Sequence, residues 1–242
     1  MSALTKLTKL FLGEMKRMVS YKILPISIAT SLIWVVLFAL LSAAEAQRFA
    51  PLLLYMDAGV MSLLLAGAFH HLERTDGTAK TMLVLPVSTG QIIFSKALAA
   101  AALGLVSALV ISLALFFLHG LVLRYLALAL VVAAAAMAHA AIGLVIALKS
   151  RDFSGTLGGI MLFILLLFVP AILLEMGVIP RAWAWLVMLS PSAAATEALN
   201  YASKTASDLL KAAAGLAYLA ALAFLLYRFP VLRLFRRHAS VG

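Results

Sequence analysis

The 242-residue chain contains no cysteine. That absence excludes disulfides, thiol catalysis and cysteine-ligated metals, and for a chain lodged in a membrane it carries no message about redox compartment. Charge is scarce as well: charged residues make up 12% of the chain against 65% hydrophobic, with a mean hydropathy of +1.13. One soluble core of this length cannot bury that much apolar surface, so a bilayer must serve as the solvent. No G-x-x-x-x-G-K-[ST] loop is present, and the Gly-rich stretch from Gly155 to Gly159 has no lysine and opens an apolar run, so the chain has no phosphate cradle of its own. The spans also lack an H-E-x-x-H helix, paired acids or a Ser/His set, which sets aside an intramembrane enzyme. The formal charge of +10 does not argue for nucleic acid, because no aqueous domain is there to carry a basic face.

What the chain does have is a series of six apolar runs, near 23–44, 51–70, 92–118, 122–148, 154–174 and 208–229. Each approaches the roughly 20 residues that a helix needs to cross the hydrocarbon core, which predicts an all-α polytopic membrane protein with six transmembrane helices in a single transmembrane domain, 1–242. Residues 1–22 read as an amphipathic helix lying on the membrane surface: Leu4, Leu7, Phe11, Met15 and Met18 recur at helical spacing among Lys6, Lys9, Lys16, Arg17 and Lys22. The segment lacks the continuous apolar core and small-residue cleavage site of a signal peptide, so it is expected to persist in the mature chain. Six spans put 14 of the 19 Lys and Arg residues on the side of both termini, together with Glu14, Glu73, Asp76 and Asp152, so all of the +10 lies there. The positive-inside rule makes that side cytoplasmic.

The longest polar interruption on that side, 71–91, centres on ERTDGTAKTMLVLPVSTGQIIFSK, Glu73 to Lys96. Asp76-Gly77 is a turn signal, Thr78 opens a short helix, and Pro86 ends it. Ser88-Thr89-Gly90-Gln91 is a capping box that starts the next helix, so the pattern predicts a helix-turn-helix knob. On the opposite side, 175–207 is too long for a turn. Pro180, Trp183, Trp185 and Pro191 suggest short helices at the outer interface, serving as an aromatic anchor or a substrate lid, and Ser207 and Asp208 supply an N-cap and a first-turn acid for the last span.

The knob resembles the E-x-x-x-G-T…L…P-x-S…K segment that forms the coupling helix of ABC-2 type transporter permeases. Glu73, Gly77, Thr78, Leu83, Pro86, Ser88 and Lys96 stand at the matching positions, with Asp76 beside them. The order of features is similar across nearly the whole chain, IPRAWAWLVMLSPSAAATEAL included. PLLLYMDAGVMSLLLAGAFHHLE is similar to small permeases that export fluoroquinolones or other drugs, and a haem-exporter permease of cytochrome c maturation shares a related DG…L…P…K pattern. The resemblance implies a permease subunit of an exporter, moving a hydrophobic drug, lipid or similar substrate across the inner membrane of a prokaryote. A separate cytoplasmic ABC ATPase subunit would bind ATP and Mg and dock on Glu73, Asp76, Gly77, Thr78, Leu83, Pro86 and Ser88. It also implies a homodimer, or a heterodimer with a second permease. A self-sufficient secondary transporter or membrane scaffold is the reading of another class, and it calls for an inverted repeat that the two halves do not display.

Two ionisable residues inside the spans are candidates for the substrate pathway. Asp57, placed about two turns from the outer end of the second span, reads either as a substrate contact or gate, or as an acid paired near Arg48. His139 in the fourth span either titrates during transport or hydrogen-bonds between helices. His70 and His71 are expected at the interface. Neighbours in sequence point to different helix faces, so no metal site is expected there. Small-residue faces at Ala99–Gly104, Ala133–Ala136 and Ala212–Gly215 allow close helix approach, within one subunit or between two.

Overall fold

The computed structural model describes residues 2–83 and 85–240. The surface helix α1, Ala3–Ser20, is capped by the Ser2 hydroxyl on Thr5 N. A left-handed Lys22 then turns the chain into the first span, α2, Ile23–Leu40. The second span, α3, Ala43–Thr75, begins eight residues earlier than the sequence suggests. A reciprocal capping box between Ser42 and Glu45 starts it, and Pro51 lies inside the helix instead of marking its edge. Proline is tolerated in a spanning helix where neighbours and local readjustment absorb the lost bond. A single π turn, Met56–Val60, interrupts α3 near its middle.

Gly77, at φ 67°, closes α3 in the left-handed region and releases the chain into α4, Thr78–Leu83. The Ser88–Gln91 capping box then starts α5, Thr89–His119, which Gly120 ends. The fourth and fifth spans are α6, Tyr125–Lys149, and α7, Phe153–Leu174, the latter capped by Asp152. These, with α2, α3, α5 and the final helix, are the six long apolar helices among the described residues. Asp208, and not the expected Ser207, caps that final helix, its carboxylate accepting from Lys211 N. It is continuous from Leu209–Leu226 through a π turn at Tyr227–Val231 into Leu232–Ser240, and is α9 below.

The 175–207 segment differs from expectation in one respect. Its first part forms short helical turns, Arg181–Trp183 and Ala184–Val187, with Trp183 and Trp185 exposed. Its second part, α8, Pro191–Ala202, is a buried helix packed on α9, α6 and α3. Six alanine and serine side chains of α8 are small enough to let it sink into the bundle, and Ser190 ties its start to Leu167 O at 2.8 Å. The predicted small-residue faces pack inside this one chain: a Cβ on Gly104 would meet Ala136 Cβ at 2.9 Å, and one on Gly215 would meet Ala194 O at 2.6 Å. The main core, with Tyr55, Phe38, Ile111, Leu199 and Leu219 fully buried, fills the half of the bundle near α8. Separate apolar clusters seat α1, α4 and the end of α9 at the half that carries the termini.

Candidate functional site

Residues 14, 17, 73 and 96 come from three helices and meet under the polar insert. Glu14 and Arg17 lie one turn apart on α1, Glu73 sits in the last turn of α3, and Lys96 lies two turns into α5. Lys96 Nζ donates to both Glu73 oxygens at 2.5 and 2.7 Å and to Glu14 at 3.4 Å. Arg17 contacts Glu14 at 2.5 Å and Glu73 at 3.3 Å. The Phe69 ring lies 4.8 Å from the Lys96 ammonium. Glu73, Glu14 and Lys96 are buried, so two acids and two bases form a neutral, nearly dry knot. Burial pushes the Glu14 carboxyl up from the ordinary glutamate range; Lys96 pulls it back and Glu73 adds to the rise. A narrow cavity of about 20 Å³, lined by Phe69, His70, Glu73, Lys96 and Tyr227, leaves room for one water beside the knot.

The same elements hold the insert. Lys6 Nζ donates to Pro86 O at 3.0 Å, Arg17 Nη1 lies 2.9 Å from Met82 Sδ, and the Tyr21 and Thr78 hydroxyls are 3.4 Å apart. Met82 packs with Ile92, Ile93, Leu144, Leu148, Val231 and Phe235, so α4 is wedged between α1, α5, α6 and α9. Arg74 Nη1 reaches Arg151 O at 3.3 Å in the next loop on the same side. Packed side chains and one ionic knot thus tie α4 to the ends of α3 and α5.

The sequence-nominated residues divide by position. Asp76, Pro86 and Ser88 are exposed, while Gly77 and Thr78 are partly so. The Leu83 side chain lies outside the described residues. Glu73 is fully buried and presents no surface to another protein; its carboxylate is spent on Lys96 and Arg17. Glu14 and Arg17 escaped the sequence reading, which treated α1 as a surface helix. Glu14 is the lone acid in that basic segment and stands three residues before Arg17, which is the one local signal of a buried partner.

Asp57 and His139 are not brought together. Asp57 sits in the π turn about four helical turns from Ser42, deeper than the sequence suggested, and its Oδ2 lies 2.6 Å from the Ser31 hydroxyl on α2. No ion pair to Arg48 is present among the described residues. Ser27 and Ser107 continue this polar seam between α2 and α5 at 3.0 Å. His139 instead faces α3 and α8: its Nε2 is 2.8 Å from the Tyr55 hydroxyl, which is 2.7 Å from Ser192 Oγ, and its Nδ1 is 2.8 Å from Ala135 O. His70 is buried beside the cavity and so points into the bundle and not to the interface, while His71, partly exposed, lies 2.6 Å from Thr156 Oγ1.

A bundle of six spanning helices, a surface helix leading in, and a wedged polar insert define an all-α polytopic membrane protein of the transport class. The chain belongs to the ABC-2 type transporter family, whose model matches residues 5–203, from the first turn of α1 to the end of α8. Membership implies a permease component that works in a membrane with a partner ATP-binding subunit. No curated protein matches the chain significantly.

Proposed function

We propose that the chain is the membrane subunit of an ATP-driven exporter and that a separate ATPase subunit docks on α4 and its flanks at Asp76, Gly77, Thr78, Leu83, Pro86 and Ser88. The observation that carries this reading is the wedging of α4 over the Glu14–Arg17–Glu73–Lys96 knot. A short helix so supported moves with its spans when pushed, whereas a loose loop would absorb the motion. Glu73 acts in this scheme as an internal tie joining α3 to α5 and α1, beneath the docking surface. The basic excess on this side of the bundle supports a cytoplasmic position for it and for both termini. Two copies pair about a pathway whose walls suit an apolar substrate such as a drug or lipid, and ATP with Mg is consumed on the partner subunit. Asp57 and His139, on separate polar seams in the spans, are the groups placed to sense cargo or gate the pathway.

The test replaces residues 76–87 by a Gly/Ser linker of equal length. The expected outcome is a bundle that still inserts and purifies as the parent does, with loss of ATPase co-purification. An ATPase that pairs normally with the linker variant overturns the docking role.

A further inference from the structure

Helix α9 is longer than the bilayer is thick. Its apolar stretch, Leu209–Arg237, has 29 residues and spans about 44 Å, against a hydrocarbon core of about 30 Å. Asp208 and Lys211 are exposed and paired at its start, which holds that end at the interface. The residues from Arg228 onward therefore leave the hydrocarbon at the depth of lipid headgroups, on the side of both termini. A cleft of about 830 Å³ opens there, lined by Lys149 from the end of α6 and by Arg228, Arg233, Arg236 and Arg237 along α9.

This cleft is the opposite of the buried knot. No carboxylate lines it, and Lys149, Arg228, Arg233 and Arg236 are exposed with no ion pair among the described residues. Phe229 lies on its rim, 59% exposed, and the Arg228 guanidinium stands 5.7 Å from that ring. One turn closer to the membrane centre, Phe224 and Leu225 are exposed as well. Cations at headgroup depth thus continue directly into an exposed apolar strip. That sequence of surfaces complements an amphiphile with a phosphate at one end and acyl chains at the other.

We propose that the cleft between the ends of α6 and α9 is a binding site for an anionic phospholipid. The phosphate sits among Arg228, Arg233 and Arg236, and the acyl chains lie along Phe229, Phe224 and Leu225. Val231 and Phe235, on the opposite face of α9, pack with Met82 of α4. A bound lipid therefore braces the helix that supports the insert.

The experiment measures lipid retention on the full chain in detergent by native mass spectrometry, comparing phosphatidylglycerol with phosphatidylcholine of the same acyl chains. The parent retains phosphatidylglycerol preferentially, and each Arg→Gln change among positions 228, 233 and 236 lowers that affinity about fivefold, the worth of one basic residue at an anionic membrane surface. The Arg→Lys set keeps the preference, which separates lost charge from lost folding, and Gln at Lys6, Lys9 and Lys16 on α1 leaves it intact. Equal retention of the two lipids overturns the proposal, as does undiminished phosphatidylglycerol on the triple Gln variant. Displacement of the lipid by an equal concentration of inorganic phosphate assigns the site to a soluble anion instead. A triple variant that keeps its lipid and loses the co-purifying ATPase makes the cleft a protein-docking surface.

Discussion

Replacing Lys96 by Met leaves two buried carboxylates, Glu14 and Glu73, to share the single cation Arg17. In the intact protein Lys96 Nζ lies 2.5 and 2.7 Å from the Glu73 oxygens. At an effective dielectric near 20, that contact carries about 6 kcal/mol of gross attraction. Desolvation of the buried groups offsets most of it, so the intact pair adds little over a well-packed apolar pair. The single substitution is a different matter, because Glu73 then keeps only Arg17, 3.3 Å away with a side chain 21% exposed. A buried charge left without its partner costs about 3–5 kcal/mol. Glu73→Leu alone leaves Lys96 only its longer contact with Glu14, at 3.4 Å, for a comparable loss. The double variant Glu73→Leu/Lys96→Met removes both stranded groups and leaves Glu14 on Arg17 at 2.5 Å. It is expected to unfold within about 2 kcal/mol of the parent, so the coupling energy reaches or exceeds the upper end of the usual range of about 0.5–3 kcal/mol. Unfolding titrations of the parent, the two singles and the double in mixed micelles give the four energies. Losses that simply add in the double variant refute the buried-knot reasoning.

Two further outcomes are expected. Burial raises the Glu14 carboxyl, so the stability it contributes is complete below the ordinary glutamate value of about 4.3 and is lost as pH rises through the raised value in the folded chain. Glu14→Gln is expected to flatten the fall in thermal stability as pH rises above about 4.3, and parallel parent and variant profiles count against this assignment. Tyr55→Phe removes the hydroxyl shared by His139 and Ser192, at a cost of about 1–3 kcal/mol. Because that hydroxyl holds α8 in the bundle, hydrogen exchange across residues 191–202 is expected to accelerate; unchanged protection there rules out the tie.

Local chemistry was legible in the residues. The Ser88–Gln91 box and the Gly77 turn each involve groups within a few positions of one another, and both form as the pattern implies; the last span is capped by Asp208, one residue later than the expected Ser207. The start of α3 was not, because Glu45, Arg48 and Pro51 mimic a span boundary, while the Ser42–Glu45 box that begins the helix lies just ahead of them. The burial of α8 was equally hidden: an Ala/Ser-rich helix fits an exposed interface or a tight bundle, and only its neighbours decide which. Asp57 and His139 were correctly singled out as polar groups within spans, but their partners, Ser31 and Tyr55, lie 26 and 84 positions away.

The sequence by itself determined the class, the number of spans and the shape of the insert. Those follow from the length of apolar runs against bilayer thickness and from capping over three or four residues. Only the tertiary structure decided which charges meet. Glu14, Glu73 and Lys96 come from three separate helices, and each reads alone as an ordinary residue near a membrane surface. Their pairing exists because α1 folds back over the ends of α3 and α5. In the water-poor interior created there, a lysine and two carboxylates are stable only in one another's company.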